Sequence, residues 1–160
     1  MEISTSKLNE FQNVLSGNPP TTSPDDAIQQ LRIRRSNDDP STTPPDDTTK
    51  QFIIMISRFT VWHVALLDLF DNPPEWFKRR RKPLPTIFTF TSSLSQVMCE
   101  AYPELKQKDA FYNQVWKELN DNRLIDTPGF QTMMTSNGWK FSRTTELGKN
   151  FLKFIKEYVI

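Results

Sequence analysis

DAFYNQVWKELNDNRLIDTPGFQTMMTSNGWKFSRTTELGKNFLKFIKEY, residues 109–158, decides the fold class. Asp109 is placed to open a helix whose Phe111, Val115 and Leu119 recur at spacing four, flanked by Tyr112 and Trp116, which makes an amphipathic stripe. The pattern ends near Asn122 or Arg123, ahead of Leu124-Ile125. Asn137-Gly138 signals a two-residue hairpin, because both loop positions of a type I′ turn need positive φ. Folding there pairs Met134 with Phe141 and Thr135 with Lys140. Alternation then puts Met134, Trp139 and Phe141 on an inward apolar face, and Met133, Thr135, Lys140 and Ser142 on a polar one. Thr144-Thr145-Glu146-Leu147-Gly148 leads into a last helix that buries Leu147, Phe151, Phe154, Ile155 and Tyr158 and shows Lys149, Lys153, Lys156 and Glu157 to water. The expected class is mainly α with a small β-hairpin.

Outward from this stretch, composition splits the 160 residues near Lys50. Residues 1–50 hold six of the twelve prolines, Phe11 as their one aromatic, and 5 basic against 8 acidic groups, net −3. So little apolar surface cannot offset the ordering entropy. The expectation is a disordered tail over 1–49 and a folded domain over 50–160, so that truncation to Thr48 leaves the melting temperature nearly unchanged unless Leu8 and Phe11 dock back. Within the tail, Leu8, Phe11 and Leu15 recur at helical spacing. Ser23 is a candidate N-cap ahead of Pro24, Asp25 and Asp26, with Ala27, Ile28 and Leu31 as an apolar side and Arg32, Arg34 and Arg35 as a basic end. Each island reads either as a transient helix or as a docking segment for a protein partner.

Residues 51–160 carry all four tryptophans and 15 basic against 11 acidic groups, net +4. That modest excess fits weak anion affinity as well as many ordinary surfaces. Gln51 to Phe70 reads as one long, mostly buried helix, stopped by Asn72-Pro73-Pro74. Arg58, His63 and Asp68 interrupt its apolar run, which argues against a membrane span; no secretory signal is visible, and a cytoplasmic protein is expected. A helix from an N-cap at Thr91 to Ala101 follows, ended by Pro103. Cys99 stands alone, so neither an intrachain disulfide nor a cysteine-based zinc cluster is available.

Two phrases resemble the winged helix-turn-helix superfamily, over about residues 91–158. Trp116-Lys117-Glu118-Leu119-Asn120-Asp121-Asn122-Arg123-Leu124-Ile125 is similar to the exit of a recognition helix into the wing, with Arg123 where the family often has glycine. Arg143-Thr144-Thr145-Glu146-Leu147-Gly148-Lys149-Asn150-Phe151-Leu152 is similar to the entry of the helix after the wing. The resemblance implies that the helix from Asp109 enters the major groove of duplex DNA. Asn113, Gln114, Lys117 and Asn120 would then read base edges, while Lys106, Lys108, Lys140 and Arg143 hold phosphates. Glu118 and Asp121 on the same helix oppose this.

Lys78, Arg79, Arg80, Arg81 and Lys82 form the densest positive run. It could release counterions from phosphates, dock an acidic protein, serve as a nuclear-import-like segment in a eukaryote, or simply be solvated. Trp76 and Phe77 just before it are either a stacking platform or an anchor for the loop. Catalytic motifs are wanting: His63 lies in an apolar helix, the four glycines are scattered, and paired carboxylates occur only in the tail. Neither cofactor nor metal is expected. The first reading is therefore a non-enzymatic DNA-binding regulator or accessory factor, the second a protein-interaction adaptor of the same fold.

Overall fold

WHVALLDLF, from Trp62 to Phe70, is apolar on every side of a helical wheel, so it must sit inside other helices. In the computed structural model, which describes residues 4–20, 23, 25–26, 47–86, 93–130 and 134–157, it does. Seven α-helices are present among the described residues: α1 (Thr5–Leu15), α2 (Asp47–Arg58), α3 (Val61–Asp71), α4 (Pro73–Arg79), α5 (Ser93–Ala101), α6 (Asp109–Asp121) and α7 (Glu146–Glu157). Every residue of α3 from Val61 to Phe70 is buried, and α1, α4, α5, α6 and α7 all pack on it. The chain is mainly helical, as expected. The N-cap expected at Thr91 and the segment 27–46 lie outside the described residues, as do Met133 and Tyr158.

The single helix expected over 51–70 is two, bent by 118° at Phe59-Thr60. Thr60 is extended (φ −91°, ψ 168°). Its N–H donates to His63 Nδ1 at 3.0 Å, and its hydroxyl lies 3.1 Å from the same nitrogen. His63 thereby takes the place of the Glu or Gln that reaches back to the N-cap in a capping box, and α3 starts afresh.

The tail expected over 1–49 is not disordered at its start. Leu8, Phe11, Val14 and Leu15 of α1 are buried in the common core. Lys7 Nζ donates to the Ser57 carbonyl at 2.8 Å and Gln12 Nε2 to the Ile155 carbonyl at 2.9 Å. The folded unit thus includes α1, because the helical spacing of four large apolar side chains outweighs the polar composition around them. At Ser23 the expected cap is present: the hydroxyl accepts the Asp26 N–H at 3.2 Å.

The α6 and α7 stripes fall as their spacing predicts. Phe111, Val115, Leu119, Phe151 and Ile155 are buried, and Leu147 and Phe154 are half-buried. Between the helices, an antiparallel bridge joins Ile125 to Thr144, with Asp126 N–H donating to the Arg143 carbonyl and Thr145 N–H to the Leu124 carbonyl, both at 2.9 Å. Beyond it, no strand occurs among the described residues. Asn137 has φ −99° and ψ −5°, so the type I′ turn is absent, and Gly138–Lys140 is a 3-10 turn. Burial decides this against local turn preference. The turn drives Trp139 into the core against Phe77 (ring centroids 6.3 Å apart), and Phe130 packs on Trp116 at 4.3 Å. Gly138 is needed for closeness, since a Cβ there would lie 2.8 Å from Met134 Cβ. Phe141, expected to face inward with Trp139, is instead 67 % exposed.

Arg123 occupies the left-handed region at φ 59°. The Arg123 N–H donates to the Asn120 carbonyl at 2.8 Å and the Leu124 N–H to the Leu119 carbonyl at 2.9 Å, the paired bonds of a Schellman motif. Arginine therefore makes the helix exit that glycine makes more cheaply. At the start of α7, Gly148 passes so close to the Leu124 carbonyl that any Cβ would collide with it.

Candidate interaction surface

Pro73-Pro74, expected only to stop a helix, starts one. Proline is tolerated in the first turn because its missing N–H would have no partner there, and Asn72 Oδ1 accepts the Glu75 N–H at 3.3 Å. The result is α4, whose Trp76 and Phe77 are each 1 % exposed. They anchor the segment in the core and offer no face for base stacking.

This placement turns part of the basic run inward, where a carboxylate awaits it. Asp68, on buried α3, is 3 % exposed. Arg79 Nη2 lies 3.3 Å and Arg80 Nη2 3.6 Å from its oxygens. The Arg80 side chain is only 7 % exposed. It also donates to the Val14 carbonyl at 2.5 Å and the Asn18 carbonyl at 3.3 Å, and its guanidinium lies 4.8 Å from the Trp76 ring. Lys82 Nζ donates to the Ala101 carbonyl at 2.5 Å. The expectation of five neighbouring cations presented to one polyanion is thus corrected. Arg80 is withdrawn from solvent, Arg79 and Lys82 stay exposed but bond to Asp68 and to the Ala101 carbonyl, and Lys78 and Arg81 are exposed.

On α6 the outward residues are Asp109, Ala110, Asn113, Lys117 and Asp121, with Gln114, Glu118 and Asn120 half-buried. Lys117 pairs with Asp121. Gln114 Nε2 donates to Glu118 at 3.1 Å, and Asn120 Nδ2 donates to the Ile125 carbonyl at 3.1 Å, so Asn120 braces the helix exit. Of the residues assigned to phosphates, Lys106 is exposed and Lys108 pairs with Asp25 at 2.6 Å. Lys140 is exposed beside Trp139 (5.9 Å to the ring). Arg143 turns back, donating to the Gly138 carbonyl at 2.8 Å. The structure brings Asn113 and Lys117 to one exposed face, but sets carboxylates among them.

His63 is fully buried and stacks on Phe59 with centroids 4.4 Å apart. Since Nδ1 accepts the Thr60 N–H, the proton sits on Nε2, which donates to Glu118 Oε2 at 2.9 Å. Burial lowers its pKa, against the opposing pull of Glu118. A hydroxyl, an imidazole and a carboxylate in line resemble a nucleophilic relay, but Thr60 is 1 % exposed, and a nucleophile must meet its substrate. The array caps α3 and ties it to α6. No metal-ligand cluster occurs among the described residues, and no single helix there is long and apolar enough to cross a membrane.

Sequence reasoning missed the apolar surface. Ile54 (40 %), Leu84 (57 %) and Phe141 (67 %) are the large exposed hydrophobics of the described residues. Leu84 lines a cleft of about 460 Å³ beside α4, and Ile54 lines another of about 420 Å³ between α2 and the α6 exit. The pattern Pro83-Leu84-Pro85 was the available signal. Compared with protein-family models, with curated proteins and with solved structures, the chain matches none.

Proposed function

We propose that this chain is a non-enzymatic winged-helix-type module that binds another protein, with DNA contact as the lesser reading. Helices α3, α5 and α6, the Ile125–Thr144 bridge and α7 follow one another in the order that such a fold requires, although no strand occurs between α6 and α7 among the described residues. The observation that carries the protein-binding reading is the burial of Arg80 on Asp68, with exposed Arg79 and Lys82 also tied to Asp68 and the Ala101 carbonyl. Cations held on Asp68 and on backbone carbonyls release few counterions from DNA. Asp109, Glu118 and Asp121 would meet the phosphates along the same helix, whereas exposed Ile54, Leu84 and Phe141 supply the apolar anchors that protein interfaces use.

A second reading, a DNA-binding regulator, keeps one specific support: Lys106 ahead of α6, Asn113 and Lys117 on it, and Lys140 in the turn beyond are exposed. Titrating labelled random duplex DNA across salt concentrations separates the two. The protein-binding reading expects weak binding with a log–log slope no steeper than about −2, at ~0.9 per phosphate contact. A slope of about −4 or steeper, with preference for particular sequences, would reinstate DNA.

A further inference from the structure

The cleft beside α4 is lined by Asn72, Pro74, Glu75, Lys78, Lys82 and Leu84. Leu84 is held out by the backbone. Proline fixes φ on either side of it, Pro85 is buried, and Lys82 closes the preceding turn with its N–H on the Phe77 carbonyl at 2.9 Å. An aliphatic side chain kept in water on a constrained backbone costs little further ordering when a partner covers it. Charge selects that partner. The Lys78 side chain is 81 % exposed, Arg81 is exposed in the same turn, and Lys82 forms part of the wall. The single carboxylate, Glu75, lies 3.9 Å from Lys78 Nζ, so the rim is left with an excess of cations.

We infer that this cleft binds an acidic peptide segment of a partner protein. An apolar side chain of the peptide packs between Leu84 and Pro74, and its carboxylates lie beside Lys78 and Arg81. Nucleic acid fits the lining less well: no aromatic face is offered for stacking, Trp76 and Phe77 being buried. The inference rests on the protein-binding reading above and names the chemistry of its partner.

The test pans a bead-displayed library of random peptides on the full chain. Recovered peptides are then titrated by fluorescence anisotropy against wild type, Leu84→Asp and Lys78→Glu, with random duplex DNA in parallel. Both substituted side chains are exposed, so melting temperatures should match wild type, and either variant alone suffices if the other misfolds. Peptides rich in Asp and Glu around a Leu, Ile or Phe, losing about tenfold or more on each substitution as an interface anchor does, are the expected result. Recovery of no peptide, or of peptides lacking acids or indifferent to both substitutions, would overturn the assignment. In those cases, negligible DNA binding removes this cleft alone, whereas steeply salt-dependent DNA binding removes the protein-binding reading with it.

Discussion

Phe11→Ala should destabilise the whole chain, although it lies in the segment whose composition promises disorder. Phe11 is 0 % exposed, on a helix that packs against α3 and α7. Truncating a fully buried phenylalanine costs about 3–5 kcal/mol, the lost transfer energy plus the cavity left behind. Set against a total stability of about 5–15 kcal/mol for a domain, that lowers the melting temperature by roughly 10–20 °C. Urea denaturation followed by tryptophan fluorescence is a suitable assay, because Trp62, Trp76, Trp116 and Trp139 are all buried and report global unfolding. Asn13→Ala on the exposed side of α1 is the control, expected within about 0.5 kcal/mol of wild type. Deleting residues 1–18 goes further: it strips the Val14 and Asn18 carbonyls from Arg80 and should abolish the cooperative transition. A Phe11→Ala change below about 1 kcal/mol, with a normal transition in the deletion, would show that α1 is not part of the core.

Three other measurements probe particular contacts. Arg123→Gly should stabilise by about 1 kcal/mol, since the φ of 59° costs an L-residue about 1–2 kcal/mol and glycine returns part of that as unfolded-state entropy; a loss in urea titration would contradict the Schellman assignment. Asp68→Ala should cost about 3–5 kcal/mol by leaving Arg80 buried without its carboxylate; a loss under about 1 kcal/mol would mean that water already satisfies the guanidinium. Burial holds the His63 pKa below its ordinary 6.5, so the unfolded chain takes up a proton that the folded one resists. Stability should be full above about pH 6.5 and fall as pH drops below it, with a slope of at most about 1.4 kcal/mol per pH unit until the folded group itself titrates. His63→Gln should flatten that slope between about pH 6.5 and 5 while keeping the capping-box geometry; equal slopes in the two proteins would refute the linkage.

What was legible in the sequence was what depends on spacing within one element. The α6 and α7 stripes follow from periodicity alone. The α1 stripe was visible too, but an average over fifty residues weighs prolines and acids that lie elsewhere. Three features required the third dimension. The break at Thr60 uses a histidine where capping boxes use Glu or Gln, so the usual pattern does not flag it. Asn137-Gly138 carries the local chemistry of a type I′ turn, yet burial of Trp139 and Phe130 outweighs a preference that context commonly overrides. The basic run could not disclose its partner, since Asp68 stands ten or more residues away on another helix and looks like one more interruption of an apolar segment.

That carboxylate links the chain's electrostatics to its proposed partner. A charge at the centre of α3 is tolerable only if cations come to it, and Arg79 and Arg80 do so by carrying α4 down onto the core, with Trp76 and Phe77 beneath them. Once α4 is fixed there, the chain leaves it in one direction, with Lys82 bound to the Ala101 carbonyl and Pro85 buried. Leu84 then has nowhere to go but outward. The arrangement that withdraws Arg80 from solvent and ties Arg79 to Asp68 is therefore the one that presents a constrained aliphatic side chain beside the exposed cations Lys78 and Arg81. A chain selected for phosphate binding would gain by keeping Arg80 in water as well. The desolvation of Arg80 is offset by Asp68 and by the Val14 and Asn18 carbonyls, and the shape it fixes is the one the proposed partner would meet.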